Sequence, residues 1–214
     1  MAISAVVALS DPIADELVKR LRREIAGITV GSGLDPQSQM GPLITREHYQ
    51  RVRQYVDLGV QEGAQLAVDG RNITVSGHPQ GFFLGPCLFD RVTSNMRIYR
   101  EEIFGPVLVL MRAQNFSQAL QLVNEHEYGN GVAIFTRDGG IARNFAAKAQ
   151  IGMIGINVPI PVPAAYHTFG GWKGSWFGDT QMHSESVYFY TKPKTVVVRW
   201  PEHTTDSHFH MPTH

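Results

Sequence analysis

The stretch 107–157 alternates two hydrophobic patterns, and that alternation constrains the fold more than any other feature of the chain. Residues 107–111, 131–135 and 151–157 are short, apolar and carry β-branched residues at recurring positions, as buried strands do. Between them, 117–125 and 141–148 carry helical spacing. Strands alternating with helices predict a parallel sheet with crossover helices, hence an α/β domain. After Asn157 the texture changes. Pro159, Pro161 and Pro163 lock φ and remove three amide donors, so the path there is extended. A loop rich in glycine and aromatics follows at 169–178, and 186–200 then alternates again, ending in Thr195, Val196, Val197 and Val198. That last strand has no helix after it. It needs a sheet edge to join, and another subunit can donate one. Residues 201–214 are polar and His-rich, a tail expected to be disordered.

Upstream, residues 1–9 read as a buried strand. Asp11 and Pro12 open a helix, in which Ile13, Leu17, Leu21 and Ile25 fall four apart as one apolar stripe. Turn residues at 31–36 precede a second helix opened by Thr45, with Val52, Val56 and Val60 as its inner face. Residues 65–68 read as a short strand, 71–76 as its hairpin partner, and 87–89 as a core strand. Chains rarely open directly in a core strand, because termini are normally polar and frayed. The expectation is a piece of a longer protein, 1–185 forming the partial domain, 186–200 the strand and 201–214 the tail.

Composition closes off several functional classes. Nineteen basic residues balance 19 acidic ones across 214 positions, which excludes a nucleic-acid binder acting through net charge. A 43% hydrophobic content with 18% charge excludes disorder over most of the length. No stretch reaches the roughly 18–20 apolar residues that span a bilayer. Cys87 is the sole cysteine, so there is neither an internal disulfide nor a cysteine-cluster zinc site. Flanked by Pro86 and Leu88 in a core strand, it reads as a small buried hydrophobe rather than a reactive thiol. The tail histidines (His203, His208, His210 and His214) lie in a segment expected to be disordered, which offers no preformed geometry for a metal. Neither the G-x-G-x-x-P turn at 31–36 nor the glycines at 170–175 completes a nucleotide-binding fingerprint.

The informative segment is 101–107, EEIFGPV. Gly105 and Pro106 explain a turn, but not why a large aromatic is held beside two acids. A carboxylate can accept two hydrogen bonds from a ribose diol, and an aromatic face can back a flat heterocycle. A pair of surface acids before a strand is the alternative.

That segment resembles the signature loop of the aldehyde dehydrogenase superfamily. Met40-Gly41-Pro42-Leu43-Ile44, Gly85-Pro86, Tyr128-Gly129-Asn130-Gly131 and Phe169-Gly170-Gly171 occur in the family's order, so the resemblance runs from residue 1 to about 200. Within the superfamily, the run N-V-P-I-P-V-P at 157–163, with Gly129-Asn130-Gly131 and Phe177-Gly178-Asp179, is similar to the CoA-acylating methylmalonate-semialdehyde dehydrogenase branch. The resemblance implies an α/β catalytic domain with a terminal oligomerisation strand, NAD as cofactor and coenzyme A as co-substrate. It implies that Glu102 binds the nicotinamide ribose and that Phe104 lies near the nicotinamide. Asn157, Pro159, Ile160 and Phe169 would shape the aldehyde pocket, in a homo-oligomer of the cytoplasm or the mitochondrial matrix. The family's nucleophilic cysteine stands just before a segment like Met-Ala-Ile-Ser, so no catalytic residue is expected in this chain, and activity alone is not expected. A water-deacylating relative and a non-catalytic oligomerisation module are the competing readings.

Overall fold

In the computed structural model, which describes residues 2–164, 166–167, 169–177 and 185–200, the first half of the chain builds one sheet. It runs β1 (Ala5–Leu9), α1 (Asp11–Ala26), α2 (Arg46–Gln61), β2 (Gln65–Val68), β3 (Cys87–Asp90), α3 (Arg97–Arg100) and β4 (Val107–Ala113). The strand order is β1-β4-β3-β2. β1 and β3 lie parallel to β4, with Ala5 opposite Val109 and Cys87 opposite Val107; β2 closes the far edge antiparallel to β3.

The alternation of β4 sets the layers. Val107, Val109 and Met111 join the core that contains Val52, Tyr55 and Val56 of α2, whereas Leu110 packs with Ala8 and with Ala14 of α1. A strand covered by helices on both faces is apolar at consecutive positions, as Val-Leu-Val-Leu-Met is. The inner stripe of α1 differs from the expected one. Ala14 is fully buried and Ile13 is 57% exposed, because a methyl at the contact lets the helix sit close over Leu110. On α2, Val52 and Val56 are buried but Val60 faces outward. Gly59 makes the last contact instead; a Cβ there would lie 2.8 Å from the Phe89 ring.

At the carboxyl end of this sheet, Arg112 ties α1 to the strands. Its guanidinium donates to Asp90 at 3.0 and 2.5 Å, and also to Asp11 and Asp15 near the start of α1. Burial pushes the Asp90 carboxyl up, but hydrogen bonds from Arg112 and from the Arg91 N–H outweigh it and hold the group below the usual carboxylate range.

The second half runs α4 (Phe116–Glu125), β5 (Tyr128–Gly129), β6 (Gly131–Ile134), α5 (Gly139–Lys148), β7 (Met153–Ile156), β8 (Trp172–Lys173) and α6 (Glu185–Tyr190). β6 and β7 are parallel and joined by α5, as the alternation predicts. They form their own pair rather than extending the first sheet. Helix α4 bridges the two parts, with Leu122 on the first core and Leu120 and Val123 on the second, around Phe145, Ala149 and Ile151.

Two expected strands are corrected. Residues 71–76 do not pair as a hairpin: the Asp69 carboxylate accepts the Arg71 N–H and turns the chain, and the Gly85 N–H then bonds to the Gly70 carbonyl at 2.9 Å. Within 186–200, the residues up to Tyr190 are helical and 191–200 adopt no regular structure. An alternating pattern supplies only half of a strand; the other half is a ladder, and among the described residues no strand lies beside 191–200. The expected tail at 201–214 lies outside the described residues.

Candidate functional site

The loop between α3 and β4 is held from below by one face of α2. Ile103 is buried in the core and fixes the middle of the loop. On either side of it, the residues face out. Phe104 is 77% exposed and has a φ of 61°, a conformation that a bulky side chain occupies only at a cost of about 1–3 kcal/mol. Three residues of α2 spaced by four and three hold this geometry. His48 Nε2 lies 2.7 Å from the Phe104 carbonyl, with its ring edge-on to the Phe104 ring at 6.3 Å. Val52 packs so tightly on Gly105 that a Cβ there would lie 2.7 Å from it. Tyr55 donates its hydroxyl to Glu101 at 2.6 Å.

The two acids of the loop are treated differently. Glu101 receives hydrogen bonds from Arg97 and Tyr55, which hold its carboxyl down to about 2. Glu102 is exposed, and among the described residues no hydrogen bond or ion pair reaches it. One carboxylate is therefore neutralised within the fold. The other is left facing solvent beside an exposed aromatic ring.

The residues expected to shape an aldehyde pocket lie on two further segments. Asn157 has a φ of 58° and follows β7, and its side chain is committed to the backbone. Its Oδ1 accepts the Thr136 N–H at 2.9 Å and its Nδ2 donates to the Thr136 carbonyl at 3.0 Å. Beyond this clamp, Pro159 and Ile160 are exposed. The chain folds back tightly, since a Cβ on Gly155 would lie 2.4 Å from the Val158 carbonyl. Phe169 is half-buried, edge-on to Trp176 at 6.0 Å. Its loop backs onto the entrance of β7, where Gly152 meets Gly170, so Phe169 and Asn157 sit at opposite ends of that short strand. Lys173 pins the loop: its Nζ donates to the carbonyls of Val123, Asn124 and His126 at 3.3, 2.9 and 3.0 Å, at the end of α4. Burial lowers the pKa of that ammonium.

Glu102 and Phe104 thus share one loop, and Asn157, Pro159 and Ile160 share a second segment. Among the described residues no hydrogen bond, ion pair or ring contact joins these to one another. Cys87 is 1% exposed; burial pushes its thiol up, and its sulfur accepts the Gly70 N–H at 3.3 Å. It is a core residue. Among the described residues no cluster of three metal-ligating side chains occurs, and no helix is long and apolar enough to cross a membrane. Sequence reasoning missed Tyr55, Arg97 and Lys173. The first two leave a trace in helical spacing and in the i,i+4 pair Arg97–Glu101, whereas nothing local signals Lys173.

A model of the aldehyde dehydrogenase family matches residues 1–196. The chain is 51% identical over 203 residues to a malonate-semialdehyde dehydrogenase of Pseudomonas aeruginosa, covering 94% of this chain and 41% of that protein. Its structure superposes with a TM-score of 0.90 and 50% identity on the crystal structure of a putative methylmalonate-semialdehyde dehydrogenase from Sinorhizobium meliloti complexed with NAD, again covering 94% of this chain and 41% of the other. A betaine aldehyde dehydrogenase from Staphylococcus aureus in complex with NAD+ matches with a TM-score of 0.81 and 31% identity, over 87% of this chain and 37% of that one. The chain therefore spans about two-fifths of the length of these relatives.

Proposed function

The chain belongs to the aldehyde dehydrogenase family, and from that premise we propose that it is the carboxyl-terminal part of an NAD-dependent, CoA-acylating malonate- or methylmalonate-semialdehyde dehydrogenase. The assembled enzyme oxidises the semialdehyde to an acyl-CoA with loss of carbon dioxide. The observation that carries this reading is the division of labour between Glu101 and Glu102. A buffered acid and a free acid side by side, the free one next to an outward aromatic on strained backbone, fit the ribose and nicotinamide ring of a dinucleotide. The relatives named above support the choice of substrate, and the proline-rich run at 157–163 agrees with it.

NAD, when bound, supplies the hydride acceptor. Glu102 accepts hydrogen bonds from the ribose hydroxyls and Phe104 backs the ring. Phe169 offers an apolar wall to the aldehyde, and the Asn157 clamp on Thr136 fixes the start of the segment that carries Pro159 and Ile160. None of these is a nucleophile, and the buried Cys87 is unfit to be one. The attacking thiolate of the assembled enzyme therefore lies outside this chain, and the isolated chain is inactive. The exposed Val187, Tyr188, Phe189, Tyr190, Val197 and Trp200 favour a second role, as the arm that docks on another subunit of a homo-oligomer.

The test is NADH production from malonate semialdehyde and coenzyme A, by this chain alone and by this chain assembled with the remainder of the dehydrogenase. Activity only in the assembly, with acyl-CoA as product, is the expected result. Free acid as product would replace coenzyme A by water as the acyl acceptor, and activity in the isolated chain would overturn the assignment of the nucleophile.

A further inference from the structure

We propose that His48 is a positioning residue that sets the orientation of Phe104, and through it the ring-backing surface; this rests on the reading of Glu102 and Phe104 as the cofactor-facing pair. Phe104 sits in a left-handed conformation that its side chain disfavours, so something must hold the peptide there. Ile103 is buried and Gly105 is wedged against Val52, which fixes the two ends. What remains free is the rotation of Phe104 itself, and the contact with its own backbone is the one from His48, 2.7 Å from the carbonyl oxygen. A carbonyl only accepts, so His48 Nε2 carries the hydrogen. The His48 backbone is set in turn, because its N–H caps on the Thr45 hydroxyl at 3.1 Å in the first turn of α2. The cap, the imidazole and the carbonyl form one line of support from the helix start to the aromatic ring. Without the imidazole, Phe104 relaxes toward negative φ and its ring swings away from Glu102.

Chymotrypsin reads this directly on the chain as it stands, because cleavage after Phe104 requires the loop to open. In His48→Ala, cleavage after Phe104 is expected to quicken about tenfold, the equivalent of one lost hydrogen bond. Cleavage after the distant, exposed Phe177 serves as the internal control and stays at its original rate. His48→Gln, whose amide can donate in place of Nε2, restores slow cleavage. In the assembled dehydrogenase, His48→Ala raises the KM for the coenzyme and leaves the KM for the aldehyde unchanged. Unaltered cleavage after Phe104 in His48→Ala overturns the proposal, as does a variant with faster cleavage and an unchanged coenzyme KM. The cleavage arm needs no coenzyme. Faster cleavage in a protein whose assembly oxidises no aldehyde would therefore defeat the functional reading while upholding the hold of His48 on Phe104.

Discussion

The loop at 101–105 and the loop at 169–177 are both short, both aromatic, and held in opposite ways. The first rests on the main sheet and is gripped by four side chains, His48, Val52, Tyr55 and Arg97, each touching a different part of it. The second rests on two-residue strands, β5 and β8, and is tied by the half-buried Lys173 ammonium among three carbonyls and by the Ser175 hydroxyl, which accepts the Gly129 N–H at 2.9 Å. Distributed support confines the effect of losing a single contact to the part it touches, whereas concentrated support does not. The side assigned to the cofactor is thus held at several points along α2 and α3, and the side assigned to the aldehyde relies chiefly on Lys173.

Lys173→Met is the sharpest way to break that contrast. It keeps the length of the stem but leaves the carbonyls at the end of α4 without their donor. It is expected to cost about 2 kcal/mol, read as a lower denaturant midpoint, together with an altered environment for Trp176 in fluorescence. A midpoint equal to that of the parent chain would mean that water replaces the ammonium and that support there is not concentrated. Glu102→Gln comes next in size and should leave stability untouched, because nothing in the fold depends on that carboxylate. In the assembled dehydrogenase it should raise the coenzyme KM about tenfold, since a neutral amide binds a diol less well than a carboxylate does. An unchanged coenzyme KM would remove Glu102 from the cofactor site.

The same contrast governs what could be read from the residues alone. Each helix and strand of the alternation at 107–157 is found within two or three residues of its expected bounds, because periodicity and β-branching report local structure. Periodicity cannot report neighbours. That β6 and β7 pair with each other and do not join the first sheet is a fact about strand neighbours, which the pattern of neither segment carries. The helix at Glu185–Tyr190 replaces an expected strand because the choice between them depends on a ladder partner, which no residue of the segment encodes. Glu102 and Phe104 could be singled out as a pair because both lie within one heptapeptide that resembles a family signature. Tyr55 was not, since a tyrosine on an amphipathic helix looks like any core aromatic until Glu101 is found against its hydroxyl. Lys173 lies nearly 50 residues from the carbonyls that it serves.

Arg97→Gln is the mildest of these changes and tests whether the cofactor loop is redundantly held. Glu101 is ionised down to about 2 in the fold, against an ordinary value of 4.5. With the folded pKa depressed, its contribution is fully present above pH 4.5 and disappears as the pH falls toward 2. Removing Arg97 takes away the largest cause of that depression but leaves the Tyr55 hydroxyl in place. The Glu101 carboxyl, followed by carbon NMR as the pH is lowered, should therefore titrate between the two limits rather than at either. Neutral-pH stability should fall by less than about 1 kcal/mol, because the pair with Arg97 is solvent-exposed. Cleavage after Phe104 should hardly change, because His48 and Val52 still hold the other end of the loop. A midpoint that returned fully to the ordinary value, with a loop that opened as readily as in His48→Ala, would show that the four contacts act as one unit. The comparison with the loop pinned by Lys173 would then collapse.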